Sequence, residues 1–289
     1  MSINDELGKR IKSNYESITK YRLTRRMPVI VRIDGRAFHT YTRGFRKPFD
    51  PVLMEAMQYT MKYLCEEVQG CTVAYTQSDE ISLLLVDYKD LSSQAWFDNE
   101  VQKISSITAS MATVYFNRAF NVLANNFFRE DEKTGYTARE NKLSEELGRS
   151  VEEWTAEDHK LFYERNQEFC DMCGRYDRAT GFAMFDSRCF NIPKEEVTNY
   201  FYWRQLDATR NSIEMVGRSQ FSDKELYKKS CNAIQDMLMT KGINWNNFSV
   251  PEKRGTCCIH TGDGWKIDKD IPIFKGEGRG YIERFVNVE

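Results

Sequence analysis

Two aspartates carry the clearest chemical signal: Asp34 ends the run VIVRID, and Asp79 sits in YTQSDEISLLL, 45 residues later. A carboxylate beside apolar strands is costly unless it is paired, hydrogen-bonded or metal-bound. If the two segments are neighbours in a sheet, both carboxylates meet at one sheet edge. One must then protonate, or a cation must sit between them. Mg2+ suits that place, because it takes carboxylate, carbonyl and phosphate oxygens. Gly35 leaves its own carbonyl open to a metal, with no side chain in the way. Arg36, Arg43, Arg46 and Lys47 follow Asp34, Ser78 precedes Asp79, and Lys103 and Arg118 come later. Acids holding two metals and flanked by bases are what nucleotidyl transfer requires: one ion activates the attacking hydroxyl, the other holds the triphosphate. Taken singly, IDG at a strand end and SD in a hairpin are also ordinary turn chemistry. Alternation along the hairpin leaves the direction of Glu80 open.

The elements that must position these residues follow from pattern. Residues 29–33 form a β-branched strand stopped by Gly35. Asp50 suits an N-cap and Pro51 a first helical position, with Leu53, Met57, Met61, Leu64 and Val68 at helical spacing. Residues 71–77 and 81–86 flank a tight turn at 78–80, a hairpin with acids at its tip. A long helix over 95–128 carries Ile104, Ile107, Met111 and Val114 on one face. Strand, helix, strand, strand, helix is the order of an α+β fold whose sheet has helices on one face. Residues 129–160 read as a charged, mobile insertion with a surface helix. Residues 182–192 return as a strand, several helices follow Pro193, and short strands fill 255–274. A boundary near residue 140 divides the chain into 1–140 and 141–289.

Composition excludes other classes. The chain has 289 residues, 41% hydrophobic and 29% charged, as in soluble globular proteins. It has no apolar run of membrane-spanning length and no signal-peptide core, which predicts a cytoplasmic protein without a membrane partner. Eight cysteines include one C-x-x-C, Cys170 and Cys173, and an adjacent pair, Cys257 and Cys258; with three histidines in the whole chain, reduced thiols fit better than zinc. Net charge is −2, yet residues 1–50 carry twelve basic against five acidic residues, a front end suited to phosphates.

The stretch RIDGRAFHTYTRGFRKPFD at 32–50, followed by YTQSDEISLLL at 75–85, closely resembles the tRNA(His) guanylyltransferase family, including its bacterial guanylyltransferase-like 3′–5′ polymerase branch. The resemblance covers about the first half of the chain, through the helix bearing Lys103. It implies a polymerase- or cyclase-like palm, mostly antiparallel, in 1–140, with 141–289 packing on it and contributing to tRNA binding and oligomerisation. It implies two Mg2+ ions on Asp34, the Gly35 carbonyl and Asp79. Nucleotide contacts fall on Asp34, Gly35, Arg36, Ala37, Phe38, His39, Lys47, Ser78 and Asp79. Catalytic roles fall on Asp34, Asp79, His39 and Lys103. The implied reaction activates an RNA 5′ end with ATP, after which the 3′-hydroxyl of GTP or another nucleoside triphosphate attacks it. WRQLD at 203–207 resembles the family's W-R-Q-x-D. Where eukaryotic members continue with His-x-Asn-Asn, this chain has Thr209, Arg210, Asn211 and Ser212. That departure favours the bacterial type, templated repair of tRNA 5′ ends. Trp203, Arg204 and Arg210 are candidate RNA contacts, and the resemblance implies a homotetramer. The alternatives are strict G addition to tRNA(His), or a palm-type nucleotide cyclase or signalling-nucleotide synthase.

Overall fold

The computed structural model describes residues 4–130 and 135–287. Among them one antiparallel sheet contains β1 (Val29–Gly35), β2 (Cys71–Gln77), β3 (Glu80–Leu85), β4 (Phe185–Asn191), β5 (Thr256–Thr261) and β6 (Gly264–Asp268). Their spatial order is β4-β1-β3-β2-β5-β6. The helices used below are α1 (Asn4–Ile11), α2 (Phe38–Tyr41), α3 (Pro51–Glu67), α4 (Val101–Glu130), α5 (Thr137–Leu147), α6 (Ala156–Arg165), α7 (Gln167–Ala179), α8 (Lys194–Arg218), α9 (Asp223–Leu226), α10 (Cys231–Thr240), α11 (Val250–Arg254) and α12 (Gly280–Val286). The expected α+β class is the one found.

Side-chain alternation sorts the sheet into two faces. Val29, Val31, Ile33, Ile81 and Leu83 join Met57, Met61, Leu64, Phe116 and Phe120 in a core under α3 and α4. α3 begins as expected, with the Asp50 carboxylate accepting from the Leu53 N–H (2.9 Å) and Pro51 at its first position. On the opposite face Ile30, Tyr75 and Leu84 meet Tyr200 and Phe201 of α8 and Ile282 of α12. α3 and α4 thus share one face, joined there by Met172 and Tyr176 of α7, while α8 and α12 close the other.

The expected division at residue 140 falls inside α5, and the sheet is continuous across it, because β4, β5 and β6 come from the second half. Antiparallel partners such as Val31 and Cys189 lie far apart in sequence, so their pairing leaves no local mark. The long helix also begins later than expected. Phe97, Asp98 and Asn99 are all left-handed, held by the incoming N-terminal segment. There the Leu23 N–H donates to the Asn99 carbonyl (3.0 Å), and Arg22 and Arg25 both ion-pair with Asp98. In the charged region, α5 and α6 gather Leu143, Trp154 and Phe162 into a small core; of the expected mobile insertion, residues 131–134 lie outside the described residues. No helix among the described residues is long and apolar enough to cross a membrane.

Candidate active site

β1 and β3 place Asp34 opposite Glu80, with Asp186 of β4 on the other side of Asp34. Gln77 pairs with Glu80, so Ser78 and Asp79 alone form the hairpin turn, and Ser78 is left-handed (φ 49°). The Gly35 N–H donates to the Asp79 carbonyl (3.0 Å), which locks the hairpin tip to the end of β1. The Ser78 hydroxyl donates to Asp79 Oδ1 (2.9 Å). Burial raises the Asp79 pKa, the Ser78 bond opposes that rise, and the nearby Asp34 charge adds to it. Asp34 is held from behind by Arg32, whose Nη2 donates to its Oδ2 (3.1 Å).

Glu80 answers the question that alternation left open. It is 5% exposed and faces α8. Arg32 Nη2 approaches one of its oxygens (2.7 Å), and Arg204 Nε lies 3.0 Å from the other, an ion pair rather than an aligned hydrogen bond. Burial pushes the Glu80 pKa up, while Arg204 and then Arg32 pull it down. With both oxygens taken by guanidinium groups, Glu80 is a structural acid.

Beyond the carboxylates a cavity of about 670 Å³ opens, within the range of small-molecule sites. One wall is the loop after β1, with Gly35, Ala37, Phe38, His39, Arg43 and Lys47; the floor includes Ser78 and Asp79. Left-handed Ala37 (φ 54°) precedes α2; the Thr40 and Tyr41 N–H groups bond its carbonyl (2.9 and 3.2 Å), and the Phe38 and His39 N–H groups ahead of that first bond are the ones that suit an anion. Phe38 is buried against Tyr41, Phe116 and Phe185, with ring centroids at 4.9, 5.7 and 5.0 Å, and it anchors this loop. His39 stays exposed, its Nε2 3.0 Å from the Thr40 hydroxyl.

The facing wall is one stripe of α8: Asn211, Glu214, Met215 and Arg218. Sequence reasoning missed this wall except for Asn211, noted there only as the asparagine kept where Thr209 and Ser212 depart from the eukaryotic His-x-Asn-Asn. The i, i+3, i+4, i+7 spacing was available as a signal; which face of α8 meets the sheet was not.

Three expected residues lie elsewhere. Arg36 is exposed and outside the cavity lining, its Nη1 3.7 Å from the Met184 sulfur. Lys103 sits over the Phe97 ring (5.3 Å) and outside the cavity lining. The reason is direction. α4 runs against β4, with Ser105 at Cys189, Thr108 at Ser187 and Thr113 at Phe185. Lys103 is therefore ten residues, or about 15 Å along the helix, before the turn of α4 that reaches the Asp34 end of the sheet. Arg204, expected to touch RNA, is 3% exposed and spent on Glu80 and Asp207 (2.5 Å to the latter). Arg210 is at the surface and ion-paired with Asp207.

Among the described residues no group of three or more His, Cys, Asp or Glu is arranged to hold a metal. The available donors are the Asp34 and Asp79 carboxylates and the Gly35 carbonyl. Asp79 has no ion-pair partner among the described residues, and its carboxylate repels that of Asp34. Hard oxygen donors around negative charge that Arg32 offsets only in part fit Mg2+, which keeps further positions for phosphate or water oxygens.

Comparison with known proteins identifies the fold and the family. A family model described as tRNAHis guanylyltransferase matches residues 8–193. A probable tRNA(His) guanylyltransferase of Dictyostelium discoideum is 24% identical over 289 residues, covering 94% of this chain and 91% of that protein. A bacterial tRNA(His) guanylyltransferase-like protein, solved in complex with ATP, is 38% identical, with a TM-score of 0.74 over 97% of this chain and 99% of that one. A bacterial protein of the same description, solved in complex with GTP, is 34% identical with a TM-score of 0.67 and the same coverage. The palm-type fold expected from the motifs is thus shared along nearly the whole chain, and the protein belongs to the tRNA(His) guanylyltransferase family of nucleotidyltransferases.

Proposed function

We propose that this protein is a Mg2+-dependent nucleotidyltransferase that extends tRNA 5′ ends in the 3′–5′ direction, its favoured reaction being templated repair of tRNAs that lack 5′ nucleotides. The observation that carries the reading is the Asp79 hairpin tip bonded to Gly35 at the floor of the 670 Å³ cavity. The similarity to bacterial relatives solved with ATP and with GTP supports ATP as the activating substrate and GTP or other nucleoside triphosphates as those added.

In this reading the triphosphate lies along the turn at 37–39, where the opening amides of α2, Arg43 and Lys47 meet its charge. Ser78 orients Asp79, and Arg32 orients Asp34. Mg2+ bound by Asp34, Asp79 and the Gly35 carbonyl would supply Lewis acidity and neutralise charge developing on the phosphoryl oxygens. First, an oxygen of the RNA 5′-monophosphate bonds to the α-phosphorus of ATP, and pyrophosphate leaves. Then the 3′-hydroxyl of the incoming nucleotide bonds to the activated 5′ phosphorus, and AMP leaves. His39, on the cavity wall, is assigned to the activated end, where its imidazole can take the hydroxyl proton. Lys103 has no role in this scheme. A cytoplasmic homotetramer completes the reading, because one cavity and its rim cover little of a tRNA.

The test is nucleotide addition to a 5′-monophosphorylated tRNA missing its first nucleotide, with ATP, all four nucleoside triphosphates and Mg2+. The expected product grows by the nucleotide complementary to the acceptor strand, and EDTA stops its formation. Addition of G alone, only to tRNA(His), would replace repair by strict guanylylation. Cyclisation of nucleotide with no RNA extension would overturn the RNA reading altogether.

Gly35→Ala probes the loop anchor. A Cβ at Gly35 would lie 2.4 Å from Phe38 Cδ2, and the Phe38 ring is wedged among three others. The loop must shift, so addition is expected to slow about 10²-fold, and the strain on the buried Phe38 ring should cost about 1–3 kcal/mol of stability. A wild-type rate would show that the loop tolerates displacement.

A further inference from the structure

Past its cavity-lining stripe, α8 leads through a turn into α9 and the sequence Tyr227-Lys228-Lys229. A Cβ on Gly217 would lie 3.5 Å from a Leu226 methyl. α9 therefore packs on the turn of α8 that ends at Arg218, a residue of the cavity wall. Phe221 and Leu226 are drawn into the small core of Ile213, Val216, Ile234 and Leu238. Tyr227, adjacent to Leu226, is left 71% exposed. Lys228 is left-handed (φ 57°), a strained conformation for a residue other than glycine, and its ammonium lies 5.2 Å from the Tyr227 ring centroid.

Lys224, Lys228 and Lys229 are all exposed, and among the described residues none forms an ion pair. Two acids flank Lys224: Glu225 accepts from the N–H and hydroxyl of Ser222 (2.8 and 2.7 Å) in a capping box, and Asp223 forms no ion pair among the described residues. Lys241 plays a different part, donating to the Gln220 carbonyl (3.1 Å) and fastening the turn.

We propose that Lys224, Tyr227, Lys228 and Lys229 form a docking surface for the RNA substrate beside the cavity mouth. The lysines take backbone phosphates, and the Tyr227 ring stacks on a base or ribose. This rests on the RNA reading of the cavity. Three observations select RNA. Uncompensated ammonium groups release counterions from a polyanion. An exposed aromatic among bases is a stacking platform. The patch also begins six residues after Arg218 of the cavity wall, in a chain whose net charge of −2 forces its cationic surface to be local.

The experiment measures tRNA binding and nucleotide addition against salt for the wild type, Lys228→Ala/Lys229→Ala, Tyr227→Phe and Tyr227→Ala. The double variant is expected to lower the slope of log K against log salt by about 1.8. Its KM for tRNA should rise about tenfold at low salt, with kcat at saturating tRNA and KM for the nucleoside triphosphate unchanged. Tyr227→Phe should behave as wild type, and Tyr227→Ala should raise KM for tRNA alone. A wild-type salt slope and affinity in the double variant would overturn the proposal. So would an altered oligomeric state with unchanged tRNA affinity, which would make the patch a contact between copies. If the wild type itself binds no tRNA, the RNA reading of the cavity fails, and this surface fails with it.

Discussion

Asp79→Asn is expected to slow nucleotide addition by at least about 10³-fold, because a metal clamp contributes several kcal/mol of transition-state stabilisation. The change is nearly isosteric. The amide oxygen can still accept from the Ser78 hydroxyl, and the Asp79 carbonyl still accepts from the Gly35 N–H, since that bond is made by the main chain. The fold should therefore be unharmed. Stability is even expected to rise slightly, because the substitution removes a carboxyl that is raised in pKa by burial and repelled by Asp34. Two measurements check this: the rate of addition to a truncated tRNA, and the thermal midpoint without metal. A rate within tenfold of wild type would remove Asp79 from the chemistry. A lost rate with a collapsed midpoint would make the effect structural.

Arg204→Ala is expected to be the most damaging single change to stability, by about 3–5 kcal/mol, because it leaves the buried Glu80 carboxylate short of a partner. For a chain of this size that is a fall of roughly 10 °C in thermal midpoint. Arg204 is enclosed by Glu80, Asp207 and the face of Trp203, whose centroid is 4.0 Å from the guanidinium carbon. Arg210 shares Asp207 from the solvent side, so Arg210→Ala should change stability by less than about 1 kcal/mol. Equal effects from the two substitutions would contradict the placement of Arg204 inside the molecule. Addition at low temperature, where Arg204→Ala remains folded, should also fall, since Glu80 adjoins Asp79 at the start of β3.

Much of the site was legible from residue order because its parts are local. An aspartate and a glycine ending a β-branched run, a two-residue turn bearing the second aspartate, and a capped helix between them dictate one hairpin and one loop. Adjacent antiparallel strands then bring Asp34 and Asp79 to one edge. The α+β class and the start of α3 follow from the same short-range rules, whereas nucleotide contacts at 37–39 are implied by the family resemblance alone.

The tertiary structure alone decided everything that depends on which surfaces meet. It set the direction of α4, which carries Lys103 away from the Asp34 end although its sequence position resembles a phosphate contact. It turned α8 so that Arg204 enters the core while Asn211, Glu214 and Arg218 face the cavity. It also joined β4, β5 and β6 to the first-half strands across a boundary that composition had marked. Each of these outcomes comes from burial of long-range apolar faces, such as Tyr75 against Phe201 and Phe274. A periodic pattern states that a face is apolar; only its packing partner states where that face points.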